Sequence, residues 1–230
     1  MIGVIPAAGY ATRLGPLPCS KELLEVGGAP VIEHLVRRME AGGCSQIRVV
    51  TRPDKEDVCR YAESRDLRIV VGHPPHVGAS VGAALEGVAP HELVALGYPD
   101  TLWEPLDGFR RLRGGIADGA DVVLGLFETP DAFRSDVVVL DEHGAVSEIL
   151  VKPAEPPSAL IWGCLVAQAE ALVGIERVAE PSDLLRKLIA DGRVIGSRYL
   201  SDRWLDVGVP SALRRAREQA ARRPSPEDGW

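Results

Sequence analysis

The residues best suited to chemistry come early in the chain. A short apolar run, Gly3 to Ala7, leads straight into Pro6-Ala7-Ala8-Gly9-Tyr10-Ala11-Thr12-Arg13-Leu14, and Gly15-Pro16-Leu17-Pro18-Cys19-Ser20 then leads to Lys21. Small residues after a strand let backbone approach a ligand closely, and turned N–H groups bind phosphate oxygens. Arg13 and Lys21 put two cations on the same loop, which suits a polyphosphate. The Gly-Lys-Ser/Thr ending of a P-loop is missing, and so is the Gly-x-Gly-x-x-Gly dinucleotide fingerprint. Asp100 follows a second apolar run, Leu93 to Leu96, at the carboxyl end of a predicted strand. Open α/β sheets carry ligand-binding groups there. Asp206 lies in Trp204-Leu205-Asp206-Val207-Gly208. A single aspartate most often serves as a turn or cap residue.

The elements that must position these residues alternate in the first half. Gly3–Ala7, Ile47–Thr51, Leu67–Val71 and Leu93–Leu96 read as strands, and Pro30–Ala41, Lys55–Ser64 and Ala79–Val88 as helices. Such alternation implies a parallel sheet with helices on both faces. The second half reads mainly as strands: Asp121–Leu126, Asp136–Leu140, Val146–Leu150 and Leu160–Val166, with a hairpin turn at Asp141-Glu142-His143-Gly144. Ser182 caps a predicted helix ending at Ala190, Arg193–Ser197 is a late strand, and Pro210–Ala221 is a basic amphipathic helix. One mixed α/β domain over residues 1–221 is expected, with a disordered tail over 222–230.

Composition narrows the class. The chain has 230 residues, 46% hydrophobic and 26% charged, with a net charge of −7. That balance opposes a general nucleic-acid binder. No apolar run approaches the roughly 20 residues that span a bilayer, and the N-terminus lacks a charged leader region. The expected location is the cytoplasm. Cys19, Cys44, Cys59 and Cys164 form no Cys-x-x-Cys pair, so they read as plain thiols; Cys19 stands out only for lying in the first loop.

The whole string is more specific than its parts. Ile5-Pro6-Ala7-Ala8-Gly9-Tyr10-Ala11-Thr12-Arg13-Leu14 followed by Ser20-Lys21-Glu22-Leu23-Leu24 resembles the sugar-1-phosphate nucleotidylyltransferases, closest to the glucose-1-phosphate thymidylyltransferase and uridylyltransferase branch. The resemblance extends to Gly97-Tyr98-Pro99-Asp100-Thr101, to Val151-Lys152-Pro153 and to Trp204-Leu205-Asp206-Val207-Gly208-Val209-Pro210. It implies a Rossmann-like three-layer α/β/α sandwich with a mixed, mostly parallel sheet. It also implies a reaction: a sugar 1-phosphate attacks the α-phosphorus of a nucleoside triphosphate, dTTP or UTP favoured, and pyrophosphate leaves.

By the same resemblance, Arg13 sits on the leaving pyrophosphate, and Lys21 at the α-phosphate and the attacking phosphate. Ala7, Ala8, Gly9, Thr12, His73 and Gly78 hold the nucleotide. Asp136, Lys152, Trp162 and Gly163 hold the sugar phosphate, and Asp100 with Asp206 holds Mg²⁺. Three positions depart from the family pattern: Ala11 replaces a glycine, Val151 replaces a glutamate before Lys-Pro, and Asp136 replaces a glycine. These departures point to a sugar other than glucose. Two alternatives stand beside this reading: a cytidylyltransferase acting on an alcohol phosphate, and a regulatory module that binds without turnover. An NAD-dependent oxidoreductase is more distant. No C-terminal assembly region is expected, so the chain reads as a monomer or a homodimer.

Overall fold

β-Branched and apolar stretches form the strands of this protein, and amphipathic stretches form its helices. The computed structural model describes residues 1–222, so the predicted tail from residue 223 onward lies outside the described residues. The chain opens with β1 (Ile2–Pro6) and a 3₁₀ turn at Lys21–Leu23. The hairpin β2 (Glu25–Val26) and β3 (Ala29–Pro30) leads into α1 (Val31–Ala41). Next come β4 (Gln46–Thr51), α2 (Glu56–Ser64), β5 (Arg68–Val71), α3 (Val77–Leu85), β6 (Leu93–Gly97), β7 (Thr101–Trp103) and α4 (Gly108–Ala117). The second half holds β8 (Val122–Glu128), β9 (Val137–Leu140), β10 (Val146–Leu150), β11 (Leu160–Gln168), α5 (Pro181–Ala190), β12 (Ile195–Ser201), β13 (Trp204–Asp206) and α6 (Pro210–Ala221).

Among the described residues, the main sheet has nine strands. The path β10-β9-β11-β6-β1-β4-β5 is extended by β8 against β11 and β12 against β8. β5, β4, β1 and β6 run parallel, as do β8 and β12, whereas β11 is antiparallel to β6, β8 and β9. Successive side chains of a strand face opposite sides. Val4 accordingly packs with α3 and α5 residues such as Val81, Ala84 and Leu185, and Ile5 packs with Leu35, Val58 and Phe109 of α1, α2 and α4. The result is the three-layer Rossmann-like sandwich, with a core on each face of the sheet. Each fully buried Val, Leu or Ile contributes about 1.5–3 kcal/mol. A third, smaller core joins Leu24 and Val26 to Leu205, Val207 and α6.

Several elements differ from the sequence reading. α4 was not expected; its glycines and arginines blur the apolar stripe, which is only Phe109, Leu112 and neighbours. α3 begins two residues earlier and ends three earlier than predicted. Ser182 does not cap α5: Glu180 does, in a reciprocal capping box with Asp183, and Ser182 is fully buried. The ribbon of β7 and β13 was also missed. It pairs Asp206 with Thr101, next to Asp100, and Val207 N–H donates to Asp100 O at 2.9 Å. No helix among the described residues is long and apolar enough to cross a membrane.

Candidate active site

A cavity of about 370 Å³ opens where the carboxyl ends of β1 and β6 face β11 and the β7–β13 ribbon. Lys21, on the 3₁₀ turn, donates from Nζ to Asp100 Oδ2 at 2.5 Å, and the two side chains are only 16% and 15% exposed. Burial opposes the Lys21 charge most strongly, but the Asp100 carboxylate, helped by Glu22 and Asp206, outweighs it and raises the lysine pKa. Asp206 is pushed up first by burial and then by the negative charge of Asp100. Gly208 N–H, which donates to Asp206 Oδ1 at 2.7 Å, pulls the other way, as do Arg13 and Lys21. Arg13, Lys21, Asp100 and Asp206 thus line a single cavity.

Asp136, Lys152, Trp162 and Gly163 line the same cavity. A hydrogen-bond chain orients the first of them. Trp162 Nε1–H donates to Ser182 Oγ at 3.0 Å, and the Ser182 hydroxyl donates to Asp136 Oδ2. Asp136 Oδ1 is sealed from water and has no partner among the described residues. Gly163 is required by packing, because a Cβ there would lie 2.7 Å from Trp204 Nε1 and 2.9 Å from the Phe127 ring. Val151 is 41% exposed and does not line the cavity. Glu180 does line it, with its carboxyl pushed up by burial against the opposing pull of Lys152.

The nucleotide set is only partly brought together. Ala8 and Gly9 line the cavity, and Ala7 lies buried behind them. Thr12 and His73 are exposed and off the cavity wall. Gly78 is also off it, because it packs against backbone: a Cβ would meet Val178 O at 2.1 Å. Sequence reading passed over Tyr10, Ser80, Tyr98, Arg134, Glu180 and Trp204 as cavity residues. Tyr10, Tyr98 and Trp204 lie inside the strings that carry the family resemblance, whereas Ser80, Arg134 and Glu180 belong to no local pattern that marks a ligand contact. His76 belongs to the same loop as His73. It caps α3, with Nδ1 accepting from Ala79 N–H at 3.1 Å, and it lines the cavity. Cys19 packs against the third core, and burial followed by the Asp57 charge raises its thiol pKa, which leaves it a plain thiol.

Fold and cavity together define a nucleotidyltransferase class: a Rossmann-like sheet whose first loop faces paired carboxylates. The chain matches the MobA-like NTP transferase domain over residues 3–191 and belongs to that family. It is 28% identical to the UTP–glucose-1-phosphate uridylyltransferase AglF of Haloferax volcanii, over 91% of this chain and 92% of that one. It is 27% identical to the low-salt glycan biosynthesis nucleotidyltransferase Agl11 of the same organism, over 95% of this chain but only 65% of the relative. A solved structure of a Bacillus anthracis chain, named for glucose-1-phosphate thymidylyltransferase and crystallised with sucrose, superposes with a TM-score of 0.84. It covers all of both chains at 20% identity, a likeness of fold.

Proposed function

We propose that residues 1–221 form one catalytic domain that joins a nucleoside triphosphate, dTTP or UTP favoured, to a sugar 1-phosphate. The single observation that carries this reading is the convergence of Arg13, Lys21, Asp100, Asp206 and Lys152 on one cavity. A phosphate oxygen of the sugar phosphate forms a new bond to the α-phosphorus, the bond from that phosphorus to the bridging oxygen breaks, and pyrophosphate leaves with the electron pair. The attacking group is already an anion, so the protein needs no covalent nucleophile. Positioning and charge neutralisation supply the catalysis. Lys21, kept protonated by Asp100, neutralises the reacting phosphates; Arg13 takes the leaving pyrophosphate; Lys152 holds the sugar phosphate.

The donor set fits Mg²⁺. Asp100 and Asp206 are adjacent all-oxygen ligands, each with one oxygen already used, by Lys21 and by Gly208 N–H respectively. Among the described residues, no group of three or more His, Cys, Asp or Glu side chains is arranged to hold a metal ion by itself. Two carboxylates with substrate phosphates and waters match the way Mg²⁺ is usually held. When bound, the ion supplies charge neutralisation and alignment of the displacement.

Asp136 and Val151 support an acceptor other than glucose 1-phosphate. Asp136 lines the pocket with Oδ2 held by the Ser182 hydroxyl and Oδ1 buried, while the position before Lys152 carries no carboxylate. A matrix of nucleoside triphosphates against sugar 1-phosphates, with and without Mg²⁺, tests the whole reading. Pyrophosphate release and the mass of the nucleotide sugar are the readouts. Turnover with dTTP or UTP, dependent on Mg²⁺ and lost in a folded Asp100→Asn variant, is expected. Absence of any nucleotide sugar across the matrix overturns the proposed activity, and glucose 1-phosphate as the best acceptor overturns the sugar assignment alone.

A further inference from the structure

The first loop is held from behind by two buried cations of the short β4–α2 connection. Lys55 Nζ donates to Ala7 O at 2.8 Å, and Arg52 Nη1 donates to Ala8 O at 3.1 Å. Both side chains are nearly enclosed, at 7% and 6% exposure of the residue. Each has its own counter-charge. Lys55 reaches Glu22 Oε1 and Oε2 at 2.9 and 3.0 Å, and Arg52 grips Asp54 through Nε and Nη2 at 2.9 and 2.8 Å. The Arg52 guanidinium also lies 3.5 Å from the centroid of the Tyr10 ring.

Peptide geometry turns these contacts into an orientation. In a trans peptide the carbonyl and the following N–H point in opposite directions. With Ala7 O and Ala8 O held by these cations, the N–H groups of Ala8 and Gly9 point away from the β4–α2 connection, and both residues line the cavity. Two successive N–H groups facing one space form an anion-binding nest. Glu22 follows Lys21 directly, so its pairing with Lys55 also anchors the turn that carries Lys21.

We propose that Arg52 and Lys55 are positioning residues: they aim the Ala8 and Gly9 N–H groups at the phosphates of the triphosphate and never touch it themselves. The proposal deepens the functional reading above and rests on it. Simple loss of Lys55 would strand the Glu22 carboxylate, whose pKa burial already raises. The double variant Glu22→Gln/Lys55→Met removes the pair together and avoids that defect. Arg52→Met removes the second anchor, and Arg52→Lys restores a cation able to donate to Ala8 O.

The experiment measures thermal stability, calorimetric affinity for Mg²⁺-dTTP and Mg²⁺-UTP, and the KM for the sugar 1-phosphate. Arg52→Met and the double variant are expected to fold and to lose about tenfold in triphosphate affinity, the equivalent of about one oriented hydrogen bond. The sugar 1-phosphate KM stays within about twofold in Arg52→Met, since no contact to that substrate is removed. Arg52→Lys recovers most of the affinity. Unchanged triphosphate affinity in folded variants overturns the proposal. So does a loss shared equally by both substrates, accompanied by a fall in melting temperature and unrescued by Arg52→Lys, because that marks a purely structural role. A wild type that binds neither triphosphate overturns the functional reading and this inference together.

Discussion

Ala11 has a φ of 53°, in the left-handed region where a Cβ crowds the following carbonyl. Alanine stands here in place of the family's glycine, and the backbone still adopts the glycine-like conformation. Lys152 carries the same kind of strain, at φ 42°. Lys152 lines the cavity and Ala11 follows the lining residue Tyr10, while Asp66, the third such residue at φ 54°, lies in the turn between α2 and β5. Ala11→Gly is expected to stabilise the protein by about 1 kcal/mol, because it removes a left-handed penalty of that order. Urea denaturation reads the change directly; an unchanged or lower midpoint would place the strain elsewhere.

Among the elements, α1 and α2 are coupled by one carboxylate. Glu33 of α1 accepts from Tyr61 Oη at 2.6 Å and from Arg65 Nε at 3.0 Å on α2 and its end, and from Arg37 Nε at 3.0 Å on its own helix. Burial alone would raise the Glu33 pKa, but the Tyr61 hydrogen bond and the two arginines outweigh it and hold the carboxyl below its ordinary 4.5. A depressed carboxylate stabilises the fold above its unfolded pKa, and that contribution fades as pH falls through the folded value. Glu33→Gln should therefore cost about 2 kcal/mol at neutral pH and flatten the decline in stability below pH 4.5. Melting curves from pH 7 down through the acid range check both effects. The coupling matters for function because α2 follows the connection that braces the first loop.

At the scale of the whole molecule, the cavity lies where two halves meet. The parallel half supplies the first loop, Lys21 and Asp100; the half built around β11 supplies Asp136, Lys152 and Trp162. The β7–β13 ribbon then brings Asp206 beside Asp100. A ligand bridging these parts stabilises the fold by mass action, by about 2.7 kcal/mol at a hundred times its Kd. Saturating Mg²⁺ with the preferred triphosphate is accordingly expected to raise the melting temperature by roughly 5–10 °C in a chain of this size. Asp100→Asn or Asp206→Asn should abolish the Mg²⁺-dependent part of that rise. A full shift in either variant would remove that residue from the metal set.

The order and kind of most elements were legible in the sequence, because period-2 and period-3.6 patterns depend only on neighbours along the chain. The first loop with its two cations and the aspartate after β6 were legible for the same reason. The edges were less so: Pro181 rather than Ser182 opens α5, since the box that fixes the start depends on Glu180 and Asp183 together. Tertiary structure alone decided the rest. It bound Ser182 to Asp136 and Trp162, turned Gly78 into a packing glycine, and placed Arg52 and Lys55 behind Ala7 and Ala8; Asp206 beside Asp100 was reached in the sequence only through the family resemblance. Each of these depends on which distant elements become neighbours in the sheet. No local periodicity records that choice; burial and the pairing of charges far apart in the chain do.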